Sequence, residues 1–192
     1  MLIITGTGRC GTSLLAKHCQ DLGFDPGGGW ENRVNAGYED ATVVRINNDL
    51  HDHPRTDATN RIAAVKKRVI KDPRFLMYKE VLPAWRARPH LKFVLMVRSL
   101  TDVLASVEED PKRFRPQAGQ SHAELLADFV IRVTEYGYPF RTLHFPSCLE
   151  NYQRVYNVLT FGGLEYDFDY GARRWDKLTD WNKVHHRSSC GL

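Results

Sequence analysis

The sequence lacks paired cysteines: Cys10, Cys19, Cys148 and Cys190 fall in no C-x-x-C spacing. Neither a zinc site nor a disulfide framework is therefore indicated, and a reducing compartment is the default. It also lacks any apolar run approaching the roughly 18 residues of a membrane span, and its first apolar segment already begins at Leu2. The expectation is a soluble, cytoplasmic, unanchored protein. There is no repeat of solenoid length and no low-complexity tract. Charge of one sign is scarce too, since 27 Lys and Arg against 23 Asp and Glu leave a net charge of only +4. That excess is too small to point to nucleic acid and suits an anionic small ligand better. With 42% hydrophobic and 26% charged residues, the 192-residue chain reads as a single globular domain over 1–192 with a sizeable core.

What is present begins with Leu2 to Ala16, LIITGTGRCGTSLLA. An apolar run breaks into Gly6-Thr7-Gly8-Arg9-Cys10-Gly11 and resumes at Thr12-Ser13, the pattern of strand, glycine-rich turn and helix start. Backbone amides of such a turn, the helix N-terminus and the hydroxyls of Thr12 and Ser13 form a cradle for phosphate or sulfate. Gly6 and Gly11 have the spacing of the nucleotide loop G-x-x-x-x-G-K-[ST], but Thr12 stands where that loop carries lysine. The cation of this loop is Arg9. Alternatives are a strand-turn-helix without ligand or another nucleotide fold.

Further elements follow in order. Apolar spacing predicts a helix over Thr12 to Leu22, then a glycine loop at Gly27-Gly28-Gly29, either connector or substrate flap. Glu39 and Asp40 fall in the first turn of a helix carrying Val43, Val44, Ile46, Asn47 and Leu50 on one face, where they could serve as caps. His51 and His53 lie in a polar loop, and a short helix is expected between Asp57 and Lys67. Val69-Ile70 is a strand ending in Lys71-Asp72-Pro73-Arg74, which puts Lys71 and Arg74 at a strand's carboxyl end. Tyr78 to Arg86 reads as a helix interrupted by Pro83. Leu91 to Val97 is apolar at both parities, as a central parallel strand requires, and Arg98 ends it before a helix from Asp102 to Glu108. Ser121-x-x-Glu124 caps a helix that ends near Gly137; Phe140 to Phe145 is a strand, and Ser147-x-x-Glu150 would cap a helix to Phe161. The last thirty residues, with Arg173-Arg174-Trp175, show no periodicity and suit a packed tail or a lid. The predicted fold class is α/β, a P-loop-type three-layer fold whose central, mostly parallel sheet is flanked by helices.

Three separated stretches resemble the P-loop sulfotransferases, which move a sulfuryl group from 3′-phosphoadenosine-5′-phosphosulfate (PAPS) to an acceptor and release 3′-phosphoadenosine-5′-phosphate (PAP). Arg9-Cys10-Gly11-Thr12-Ser13 is similar to the 5′-phosphosulfate loop, with Arg9 in place of the usual lysine. FVLMVRSLTDVLASV is similar to the 3′-phosphate motif, an arginine at a strand tip followed eight residues later by a serine, here Arg98 and Ser106. Lys71-Asp72-Pro73-Arg74 is similar to the segment whose lysine lies near the transferring group, and Gly37-Tyr38-Glu39-Asp40 approximates the GY-x-E-D of bacterial members, lacking the intervening residue. The matches cover about half of the chain and lie nearer to bacterial and carbohydrate-type members. The resemblance implies donor binding by Gly8, Arg9, Cys10, Gly11, Thr12, Ser13, Arg98 and Ser106, a small-molecule or glycan acceptor, and no metal.

Charge then suggests the roles. Arg9 and the loop donors face the leaving phosphate, Lys71 the sulfuryl oxygens, and Glu39 is the first choice as general base, with Asp40, His51 and His53 behind it. The competing expectations are a P-loop nucleotide or nucleoside kinase and a non-catalytic nucleotide-binding protein of the same fold.

Overall fold

The structure, a computed structural model, describes residues 1–31, 36–53, 57–108 and 121–187. Strand β1 (Leu2–Gly6) leaves through a loop into helix α1 (Thr12–Asp21). A two-residue antiparallel ladder, β2 (Trp30–Glu31) with β3 (Ala36–Gly37), precedes α2 (Ala41–Asp52) and the short α3 (Thr59–Ala63). Then come β4 (Val69–Lys71), α4 (Arg74–Met77), α5 (Val81–Ala84), β5 (Lys92–Val97) and α6 (Leu100–Glu108). The rest comprises α7 (His122–Glu135), β6 (Phe140–His144), α8 (Tyr152–Phe161) and α9 (Phe168–Arg187).

The main sheet has the order β4-β1-β5-β6, with every neighbouring pair parallel. Ile3 pairs with both Ile70 and Phe93, and this register sorts the apolar side chains to two faces. Ile3, Ile70, Phe93 and Leu95 pack with Ile46 of α2, Phe75, Trp85 and Phe129 of α7. Leu2, Ile4, Val94 and Met96 pack on the other side, against Leu15 of α1, Val155 and Leu159 of α8 and Trp175 of α9. The protein is thus a three-layer α/β fold, as the two apolar parities of the β5 sequence require. Fully buried Phe93 meets the rings of Phe75 and Phe129 at 5.8 Å, so truncating it to alanine should cost about 3–5 kcal/mol.

Several elements differ from the sequence expectation. The C-terminal segment is a long helix, α9, whose inward positions are Gly171, Trp175, Leu178 and Thr179. The spacing is helical, but glycine and threonine hide the stripe; a Cβ on Gly171 would lie 2.1 Å from the Tyr152 hydroxyl, so only glycine allows that approach. Ser147 does not cap α8: its hydroxyl donates to the His144 carbonyl within a 3₁₀ turn, and Asn151 is the N-cap residue. The helix expected over Tyr78 to Arg86 is only α5, Val81–Ala84, followed by a 3₁₀ turn over Trp85–Ala87; Pro83 is the third residue of α5, where a missing N–H has no intrahelical acceptor to lose. The helix expected over Asp57 to Lys67 is only Thr59–Ala63, since buried Val65 turns back to the Ile62 carbonyl. The capping box at Ser121 and Glu124 forms in both directions.

Candidate functional site

The carboxyl ends of β1, β4, β5 and β6 lie along one sheet edge, and the chain goes from β1 to β4 on one flank and from β5 to β6 on the other. The loop after β1 therefore sits at the switch point of an open α/β sheet, where ligands bind. Its shape is set by Gly8 at φ 66, Arg9 at φ 54 and Gly11 at φ 86. A Cβ on Gly6 would meet the Cys10 sulfur at 2.4 Å and the Met96 carbonyl at 2.7 Å, and one on Gly11 would meet the Phe145 ring at 2.7 Å. Both glycines are thus required by close approach, and Gly11 by its conformation as well.

Gly11 begins α1 with no side-chain cap and no acidic residue in the first turn. Thr12 is buried and Ser13 half-buried at this uncapped end. Arg98, at the tip of β5, donates from Nη1 to the Arg9 carbonyl at 3.2 Å, and its guanidinium carbon lies 5.4 Å from the Phe145 ring. Its Nε is buried without a hydrogen-bond partner, Asp102 being 3.6 Å away. An anion fits this cradle, where α1 has no side-chain cap and the buried Arg98 Nε–H lacks a hydrogen-bond acceptor. Cys10 turns into the protein. Burial pushes its thiol up to about 11 although the amides of Thr12, Cys10 and Thr7 and the charge of Lys71 favour the thiolate. Its side chain is a neutral packing group, so within the loop only its backbone faces a ligand. The Ser106 position falls in α6, two turns beyond Arg98, and its side chain lies outside the described residues.

A second cluster adjoins the loop, within electrostatic reach of Cys10 through Lys71. The Lys71 Nζ is 2.6 Å from Glu39 Oε1, and Arg74 Nη1 is 3.0 Å from Glu39 Oε2. Arg74 also contacts Asp72 Oδ1 at 3.0 Å and donates from Nε to Asn48 at 2.6 Å. Fully buried Asp72 accepts from Asn47 at 2.9 Å, and Asn47 in turn accepts from the Trp85 indole at 2.8 Å. The chain of polar contacts thus runs from the core outward to Glu39, whose side chain is 28% exposed against 5% for Lys71. Burial alone would raise the Glu39 pKa, but Lys71 and Arg74 outweigh it and hold the carboxyl below its usual value. For Asp72, burial prevails over Arg74 and pushes the carboxyl up.

The other proposed bases separate by position. Asp40 is the N-cap of α2, accepting from Thr42 and Val43 and meeting Lys67 at 3.2 Å. Capping therefore describes Asp40, whereas Glu39 lies just outside the helix. His51 is at the far end of α2, about 15 Å along its axis, stacked 3.9 Å from the Tyr78 ring; His53 follows it. The triple-glycine segment holds Glu39 in place: Gly28 donates to the Glu39 carbonyl at 3.2 Å, and a Cβ on Gly27 would lie 2.4 Å from the Asp40 nitrogen. Trp175 faces the core, 5.0 Å from His18, while Arg174 donates to Tyr170, which reaches the Asp21 carbonyl at the end of α1 remote from the loop. Arg173-Arg174-Trp175 is thus no part of the loop cradle.

Sequence reasoning missed Asn47, Asp72, Trp85 and Phe145 as supports. The available signal was Asn47, an amide on an otherwise apolar helix face. No protein-family model matches the chain, and no curated protein matches it.

Proposed function

We propose that the protein is a PAPS-dependent sulfotransferase acting on a hydroxyl of a small molecule or glycan. The observation that carries this reading is the convergence, at one sheet edge, of an uncapped glycine loop, the strand-tip Arg98 bound to that loop, and the Lys71–Glu39 pair on the neighbouring strand. When bound, PAPS supplies an activated sulfuryl group on a 5′-phosphate. Arg9, the loop amides, Thr12 and Ser13 neutralise the charge that develops on the leaving phosphate, each such donor contributing on the order of 3 kcal/mol. Arg98 and Ser106 hold the 3′-phosphate that separates this donor from ATP. Lys71 would stabilise the sulfuryl oxygens.

Donor binding would thereby be coupled to base strength. With both cations in contact, Glu39 is ionised but a weak base. If Lys71 were drawn to the donor, the carboxylate would lose one partner, its pKa would rise and it could take the acceptor proton. Arg74, fixed by Asp72 and Asn48, stays behind and keeps the carboxylate oriented. The reading is tested by assaying [³⁵S]PAPS consumption with a panel of sugars, phenols and small alcohols. A kinase reading would instead require transfer from ATP in the presence of magnesium.

A further inference from the structure

Glu39 reaches Lys71 and Arg74 from a backbone that turns sharply at the preceding residue. Tyr38 is 3% exposed and has φ 65, a left-handed conformation that an aromatic residue rarely adopts. Such a backbone persists only where its surroundings over-determine it. At Tyr38 those surroundings involve both faces of the sheet. Its side chain packs in the layer that holds Leu15, Cys19 and Trp175, whereas Val43 packs in the opposite layer with Ile46 and Ile70. The chain thus changes face between Tyr38 and Val43, beside the tip of the edge strand β4, and Glu39 sits at this crossing against Lys71. Backbone contacts anchor the segment on either side. The Tyr38 N–H donates to the Gly29 carbonyl at 3.2 Å, and Asp40 accepts from the amides of Thr42 and Val43. Of residues 38–40, which lie between the two layers, only Tyr38 is buried.

We infer that Tyr38 is a positioning residue for Glu39: its buried ring holds the left-handed turn that sets the carboxylate against Lys71 and Arg74. The link to catalysis rests on the role proposed for Glu39 above; the placement itself does not. The test follows the Glu39 carboxyl carbon by ¹³C NMR titration of the ligand-free protein, its signal assigned by its loss in Glu39→Gln. Wild type is compared with Tyr38→Ala, Tyr38→Leu, Tyr38→Phe and Leu159→Ala, the last removing a buried side chain of the same layer on α8. In Tyr38→Ala the titration midpoint should move up toward that of an ordinary glutamate, because Lys71 and Arg74 are what hold it low. Tyr38→Leu, which keeps an apolar side chain in the layer, should shift in the same direction by less. Tyr38→Phe keeps the ring and should titrate as wild type does. Leu159→Ala loosens the layer without touching the turn and should leave the midpoint in place. An unmoved midpoint in both Tyr38→Ala and Tyr38→Leu, a rise in Tyr38→Phe, or an equal rise in Leu159→Ala would overturn the inference. Because the readout needs no substrate, a protein that behaves as expected here but transfers no sulfuryl group would contradict the proposed function and leave the placement of Glu39 standing.

Discussion

The Lys71 ammonium lies 2.6 Å from Glu39 Oε1, although 32 residues separate the two in sequence. The contact joins the tip of β4 to the residue before the N-cap of α2, beside the loop that follows β1. It places a nearly buried cation directly against a partly exposed carboxylate.

Glu39→Gln should lower sulfuryl transfer by about 10²- to 10⁴-fold while leaving PAP affinity nearly intact, because an amide keeps contacts but accepts no proton. Since Lys71 and Arg74 hold the free-state carboxyl below its usual range, the acid limb of kcat/KM should also lie below an ordinary glutamate's. Turnover of the variant at the wild-type rate would remove Glu39 from the role.

Arg98→Ala should abolish the preference for PAP over adenosine 5′-phosphate, measured by calorimetry. It also removes the donor to the Arg9 carbonyl, so affinity for both nucleotides should fall somewhat. An unaltered ratio would contradict the 3′-phosphate assignment.

Asp72→Ala should destabilise the protein by about 1–3 kcal/mol in urea unfolding, since Asn47 loses its buried acceptor while Arg74 keeps Glu39. A change below about 1 kcal/mol would mean that the network adds orientation but little stability.

Stability should fall on acidification between pH 6.5 and about 4, the range between the ordinary histidine value and that of His18, which burial lowers to about 4. In this window the unfolded chain binds the proton and the folded one does not, so up to about 3 kcal/mol is lost as pH falls. The ring is enclosed by Tyr152, Tyr166 and Trp175, its Nε2 3.1 Å from the Tyr152 hydroxyl. His18→Asn should flatten this part of the Tm–pH curve; an unchanged slope would assign it to other groups.

Sheet and loop were legible in the sequence because their signals are local. Strand β5 is apolar at both parities, Gly6 and Gly11 punctuate the turn, and Ser121 with Glu124 forms its capping box within one turn. The same capping pattern at Ser147 misled, because the hydroxyl is taken by the His144 carbonyl. Helix α9 was hidden by Gly171 and Thr179 on its inward face. At the site, Glu39 and Lys71 were each recognisable by residue type and position. Their contact, and the support running from Trp85 through Asn47 and Asp72, depends on strand β4 lying beside β1, which sequence spacing does not encode.

The most direct test of the central claim is a thermal-shift comparison of PAP without metal against ATP with magnesium, since a ligand at a hundredfold its Kd stabilises by about 2.7 kcal/mol. The account predicts a clear rise in Tm with PAP alone and little change with ATP and magnesium. A rise only with ATP and magnesium, or none with either, would contradict it.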